Sequence, residues 1–155
     1  DRRSENESIW KMFDRNVTGY VSDKFVKSQD EDSMVNFIET NFNGFDLIVT
    51  TPQEDSHFEH RKINNLGPAL CRRDLITLVE YRTPSTLNHW IPNHFEGLTD
   101  IQYKFKKEAL SNFKSQQHAP YFNEKSIDNF HHNFLCSKKG MNIVEAYRIV
   151  ENFNK

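Results

Sequence analysis

The chain has 155 residues, enough for one domain of ordinary size with a real core. Its apolar share is low at 36%, but 13% of its residues are aromatic, and such side chains bury large areas, so folding rather than disorder is expected. A formal net charge of −2 excludes the broadly basic surface of a dedicated DNA or RNA binder, which leaves nucleic acid as a secondary partner at most.

Residues 1–8 are polar and read as a tail leading into Ile9, Trp10, Met12 and Phe13. The stretch 17–25 alternates as a half-buried strand does, with Val17, Gly19 and Val21 on one side and Tyr20 on the other. Asp30-Glu31-Asp32-Ser33 supplies N-terminal capping chemistry for a helix carrying Met34, Val35, Phe37, Ile38 and Phe42 at helical spacing, closed by Asn43-Gly44. The short apolar run 45–51 ends at Pro52 and predicts a strand buried on both faces within a parallel sheet.

Residues 53–62 are polar and loop-like. Ile63, Leu66, Ala69 and Leu70 predict a short helix broken or bent around Gly67-Pro68, and 75–79 predicts another buried strand. Pro84-Ser85 then opens a helix containing Leu87, Trp90 and Ile91, in which Trp90 is expected to be a core residue. After Gly97 the pattern becomes that of longer amphipathic helices at 101–113, 126–135 and 141–153, the last with Ile143, Val144, Tyr147, Val150 and Phe153 along one face. The expectation is an α/β domain over 10–98, preceded by a polar tail (1–9). An α-helical extension (99–155) would pack on it or form a partner or dimer surface.

Cys71 and Cys136 lie far apart in apolar contexts and suggest neither a disulfide framework nor a metal pair, so a reducing compartment is expected. No signal peptide or membrane-length apolar run is read, and with no initiating Met the chain is expected to be a domain of a longer protein. The segment from Asp14 to Phe25 has the alternating oxygen ligands and sixth-position Gly of a calcium loop, but Phe25 stands where the bidentate Glu belongs. His57-Phe58-Glu59-His60 and His131-His132 contain zinc ligands without a Cys-x-x-Cys to complete either set. No metal and no cofactor is expected. Basic clusters occur at His60-Arg61-Lys62, Arg72-Arg73 and Lys104-Phe105-Lys106-Lys107.

The order of blocks carries more information than any one of them. Met12 to Ser22, the helix 33–42, the Asn43-Gly44 turn, the strand 45–51, the Lys62-led helix to 70, the strand 75–79 and the Trp90-bearing helix 84–95 together resemble a divergent BRCT domain. That resemblance implies a small parallel sheet flanked by helices and a non-catalytic protein-protein interaction module. It further implies a nuclear protein of DNA repair, checkpoint or chromatin silencing, with a partner carrying a phosphoserine or phosphothreonine. In such a pocket Ser22 and the backbone N–H of Asp23 would hydrogen-bond phosphate, and Lys62, helped by Arg61, would supply positive charge. Two other readings stand beside it: a small α/β enzyme or nucleotide-handling domain with its site in the 52–62 loop around Glu54, His57 and His60, and a nucleic-acid contact through the basic clusters near Arg72 and Lys104.

Overall fold

The structure is a computed structural model and describes residues 2–12, 27–41, 44–74, 76–132 and 143–151. Five helices and four strands run in the order α1 (Arg2–Met12), α2 (Glu31–Asn41), β1 (Leu47–Thr50), α3 (Phe58–Asp74), β2 (Thr77–Tyr81), β3 (His94–Leu98), α4 (Asp100–Ser111), α5 (Glu124–His132) and β4 (Ile143–Glu151) among the described residues. The strands form a mixed sheet of order β1-β2-β4-β3, flanked by helices. No helix among the described residues is long and apolar enough to cross a membrane.

The chain divides into two compact units. One holds 27–41, 44–74, 76–95 and 146–151 of the described residues. Here Asp30 caps α2, its carboxylate accepting from the backbone N–H of Ser33 at 2.7 Å and from the Ser33 hydroxyl at 3.1 Å. The parallel pair β1/β2 is in register at Leu47↔Thr77 and Thr50↔Glu80, with α3 as its crossover. Cys71, Ile76 and Leu78 form a buried cluster against which Ile48 packs. β4 runs antiparallel to β2, which places Arg148 directly opposite Glu80.

The other unit holds 2–12, 96–132 and 143–145. Thr99 and Gln102 make a reciprocal capping box at the start of α4, and Tyr103, Ile127 and Ile143 form its core with Leu98 and Leu110. His131 is buried between the Ile127 carbonyl at 2.6 Å and the Glu145 carboxylate at 3.2 Å. Burial alone would raise the Glu145 pKa, but hydrogen bonds and charge from His131 and Lys106 outweigh it and hold the group at about 2.

Several expectations change. Residues 84–95 form no helix: the N–H of Thr86 turns back to the Thr83 carbonyl, that of Leu87 goes to the Glu54 carbonyl, and the segment runs on into β3. The stretch 141–153, read as an amphipathic helix, contains strand β4, because Ile143, Val144, Ile149 and Val150 are β-branched and the strand finds neighbours on both sides, β2 pairing antiparallel with its later half from Tyr147 to Glu151. The sheet is therefore not wholly parallel. β1 is open on one face, with Leu47 and Val49 50% and 51% exposed. The polar tail is largely α1, and α3 starts at Phe58 and passes through Gly67-Pro68 unbroken. The strand expected at 17–25, Phe42, Asn43, Leu75 and Cys136 lie outside the described residues.

Gly67 is what lets α3 lie close to β2, since a Cβ there would sit 2.9 Å from Leu78 Cδ1 and 3.2 Å from Cδ2. Leu78 is itself fully buried and cannot swing away at low cost. Gly67→Ala is expected to lose about 1–3 kcal/mol to overpacking, offset by about 1 kcal/mol of helix propensity. A urea midpoint raised relative to wild type would contradict the close packing.

Candidate active site

The carboxyl end of β1 is where the polar chemistry of the first unit gathers. After Thr50 the chain passes through the buried Thr51 and Pro52 and reaches Asp55, which is 1% exposed and forms an isolated bridge with Thr86. A carboxylate this deep must be satisfied by protein groups. Asp55 Oδ1 accepts the backbone N–H of His57 at 2.8 Å, and Oδ2 accepts the Thr83 hydroxyl at 2.5 Å and faces His60 Nδ1 at 3.1 Å. Burial works to raise its pKa, but the hydrogen bonds from Thr83, Ser85, the His57 backbone and His60 prevail and hold the carboxyl below its ordinary range.

His57 and His60 flank the start of α3, whose first-turn N–H groups favour a negative charge there. Their rings stack with centroids 4.7 Å apart and planes 28° from parallel. His57 Nδ1 lies 2.7 Å from Glu59 Oε2. His60 Nδ1 faces both Asp55 and Ser85 Oγ, the latter at 3.2 Å. Both of those oxygens can accept, so the tautomer with its proton on Nδ1 fits the surroundings and leaves a lone pair on Nε2. The Thr51 hydroxyl donates to the His60 carbonyl at 2.8 Å, and Arg61 Nη1 donates to the Asp55 carbonyl at 2.6 Å, which fixes the turn between them.

A second charged group lies alongside. Arg148 donates Nη1 and Nη2 to the two oxygens of Glu54 at 2.7 and 2.6 Å, and Nε to Glu80 at 2.6 Å. Glu80 is buried and also accepts from Asn64 Nδ2 at 2.8 Å and Trp90 Nε1 at 3.2 Å. The hydrogen bonds donated by Arg148 lower the Glu54 pKa, and those it gives to Glu54 and then to Glu80 raise its own, so the cation and Glu54 remain charged.

Of the residues singled out from the sequence for phosphate binding, Ser22 and Asp23 lie outside the described residues. Arg61 is held by Asp55, and Lys62 Nζ donates to the Gln29 carbonyl at 2.5 Å. In the 52–62 segment the fold brings His57 and His60 together but turns Glu54 to Arg148. Trp90 is buried, as expected of a core residue, although on no helix. In the cluster from Lys104 to Lys107, Lys106 pairs with Glu145 and Lys107 with Glu124. Sequence reasoning missed Asp55, Thr83 and Ser85 as one group. The signal present was an Asp followed at +2 and +5 by His where a strand end meets a helix start.

No protein-family model and no curated protein matches this sequence. Solved structures do. The pseudoaglycone deacetylase for the antimicrobial reagent A40926 superposes with a TM-score of 0.62 at 13% identity, over 96% of this chain and 69% of that one. A triple-mutant deacetylase of the teicoplanin biosynthetic pathway gives 0.61 at 11%, over 96% and 70%. A zinc-inhibited form of a teicoplanin deacetylase gives 0.61 at 10%, over 94% and 71%. At these identities what is shared is the fold.

That fold corrects the BRCT resemblance, and with it the non-catalytic, phosphopeptide-reading interaction module and the expectation that the chain is no enzyme: its structural relatives are deacetylases. The assignment to a nuclear protein of DNA repair, checkpoint or silencing rested on the same resemblance and falls with it, the relatives being biosynthetic enzymes. The confusion has a physical source. Alternating short strands and helices are common to many α/β folds, and the Trp90 helix that completed the BRCT pattern does not form.

The depressed Asp55 pKa sets a pH dependence. The group contributes stability that is fully present above the unfolded aspartate value of about 3.9 and is lost as pH falls through its lower folded value. Melting temperatures of wild type and Asp55→Asn are therefore expected to differ at pH 7 and to converge as pH drops from about 4 toward 2. A constant gap across that range would contradict an ionised, hydrogen-bonded Asp55.

Proposed function

We propose that the chain is a hydrolase of acetylated substrates, with Asp55 and His60 as its acid-base pair. The observation that carries this reading is the buried Asp55 carboxylate 3.1 Å from His60 Nδ1, which leaves Nε2 as the basic atom. Support comes from the fold, which the A40926 and teicoplanin deacetylases share, and from the location, since ligands of such sheets bind outside the carboxyl ends of parallel strands.

The mechanism follows from the geometry. His60 Nε2 takes a proton from a water as its oxygen attacks the acetyl carbonyl carbon, and Asp55 stabilises the imidazolium that forms. The imidazolium then returns the proton to the departing nitrogen or oxygen as its bond to the carbonyl carbon breaks, releasing acetate and the free amine or alcohol. Thr83 and Ser85 keep Asp55 ionised and in place.

Zinc is named for one of the structural relatives. Among the described residues of this chain no three His, Cys, Asp or Glu side chains are grouped to hold a metal ion. The His57 and His60 rings stack on each other and the Asp55 oxygens are taken up by hydrogen bonds. These residues as arranged do not form a metal site, and no step is routed through one.

Acetate release from teicoplanin-type glycopeptides and from 4-nitroacetanilide is the test, run with and without a chelator. His60→Gln is expected to lower kcat about 10²–10⁴-fold, with Asp55→Asn lowering it in the same direction. Release by His60→Gln at the wild-type rate, or none by wild type, would refute the assignment.

A further inference from the structure

Arg148 lies 94 positions along the chain from Glu54 and is not one of the reacting groups, yet it makes three charge-assisted hydrogen bonds to the two carboxylates beside them. Antiparallel register sets it opposite Glu80 on β2, and its guanidinium spans from Glu80 to both oxygens of Glu54. Each end of that bridge is anchored. Glu80 also takes Asn64, which in turn donates to the Thr51 carbonyl at 2.8 Å, and the Trp90 indole; the Arg148 guanidinium carbon stands 6.0 Å from the Trp90 ring centre. The Glu54 carbonyl accepts the Leu87 N–H at 2.8 Å, on the turn that supplies the Thr83 and Ser85 hydroxyls to Asp55.

Glu54 is thus held through its side chain by the sheet and through its backbone by the 83–87 turn. Asp55 is the next residue, so how Glu54 is held fixes the backbone from which the Asp55 carboxylate reaches its own contacts with the His57 N–H, Thr83 and His60. We infer that Arg148 and Glu54 form a positioning clamp for the Asp55–His60 pair, a role that rests on the hydrolase reading for its catalytic consequence but not for its geometry. A planar bidentate fork fits this task because it fixes orientation as well as distance, which a lysine ammonium does not.

Two kinds of measurement test the clamp. Glu54→Ala removes the bidentate pair from a partly exposed position while leaving the Arg148–Glu80 pair in place, and Arg148→Lys keeps the charge while removing the fork, so neither strands the buried Glu80 without a cation. In ¹⁵N imidazole NMR of the whole chain, wild type is expected to show His60 as the Nδ1–H tautomer, and both variants a mixture of tautomers with folding intact by circular dichroism. In the hydrolysis assay both are expected to lower kcat about tenfold or more with KM within about twofold.

In an Asp55→Asn background, Glu54→Ala is expected to cost little further rate, because the clamp acts through Asp55. A His60 spectrum identical in wild type and both variants would overturn the clamp whether or not the protein hydrolyses anything. A tautomer shift in the variants without hydrolysis by wild type would keep the clamp and reject the hydrolase assignment. Losses in kcat that add fully to that of Asp55→Asn would reject action through Asp55.

Discussion

A carboxylate buried at the end of a strand has to be surrounded by donors, and around Asp55 that requirement recruits the nearby chain. The residue just before α3 gives the His57 N–H, the 83–86 turn gives a hydroxyl, and the first turn of α3 gives an imidazole. Each donor comes with a constraint on the backbone that carries it. The turn cannot become a helix while its N–H of Leu87 is used by Glu54 and its Thr83 hydroxyl by Asp55, which is why residues 84–95 depart from the helical pattern their composition suggests.

Charge is distributed in two tiers. The inner tier is Asp55 with His60, where the low-dielectric surroundings strengthen every hydrogen bond to the carboxylate and make an unpaired one costly. The outer tier, Glu54 and Glu80 on one Arg148, ties β2, β4, α3 and the loop before β3 together through charge-assisted bonds. A buried ion network of this kind is weak grounds for arguing net stability, since desolvation offsets much of its attraction. Its value lies in geometry, because only one register of β4 against β2 places the guanidinium between both acids.

The fold shared with the deacetylases has its own logic. In a sheet with a parallel pair, a crossover helix begins just beyond the carboxyl end of the strand that precedes it, so strand-end side chains and helix N-terminal amides converge there. Asp55, His57 and His60 occupy that junction between β1 and α3. Fold alone does not give activity, and the hydrolytic reading draws its content from the Asp55–His60 geometry.

What could be read from residue order was local. The capped helix after Asp30, the strands near 47–50 and 77–81, the amphipathic α4 and α5, the buried Cys71 and Trp90 follow from capping chemistry, short-range periodicity and side-chain size, all contained within a few residues. The 52–62 segment was recognisable as polar and histidine-bearing, and so as a place for chemistry. Tertiary structure decided the rest. Ile143 to Val150 fits a helical face and a strand equally well, and only its neighbours in the sheet, β2 and β3, select the strand. The pairing of Asp55 with Thr83 spans 28 positions and that of Glu54 with Arg148 spans 94, and no local spacing encodes either. Buried charges choose their partners by where the sheet brings them, and that register exists only once the chain has folded.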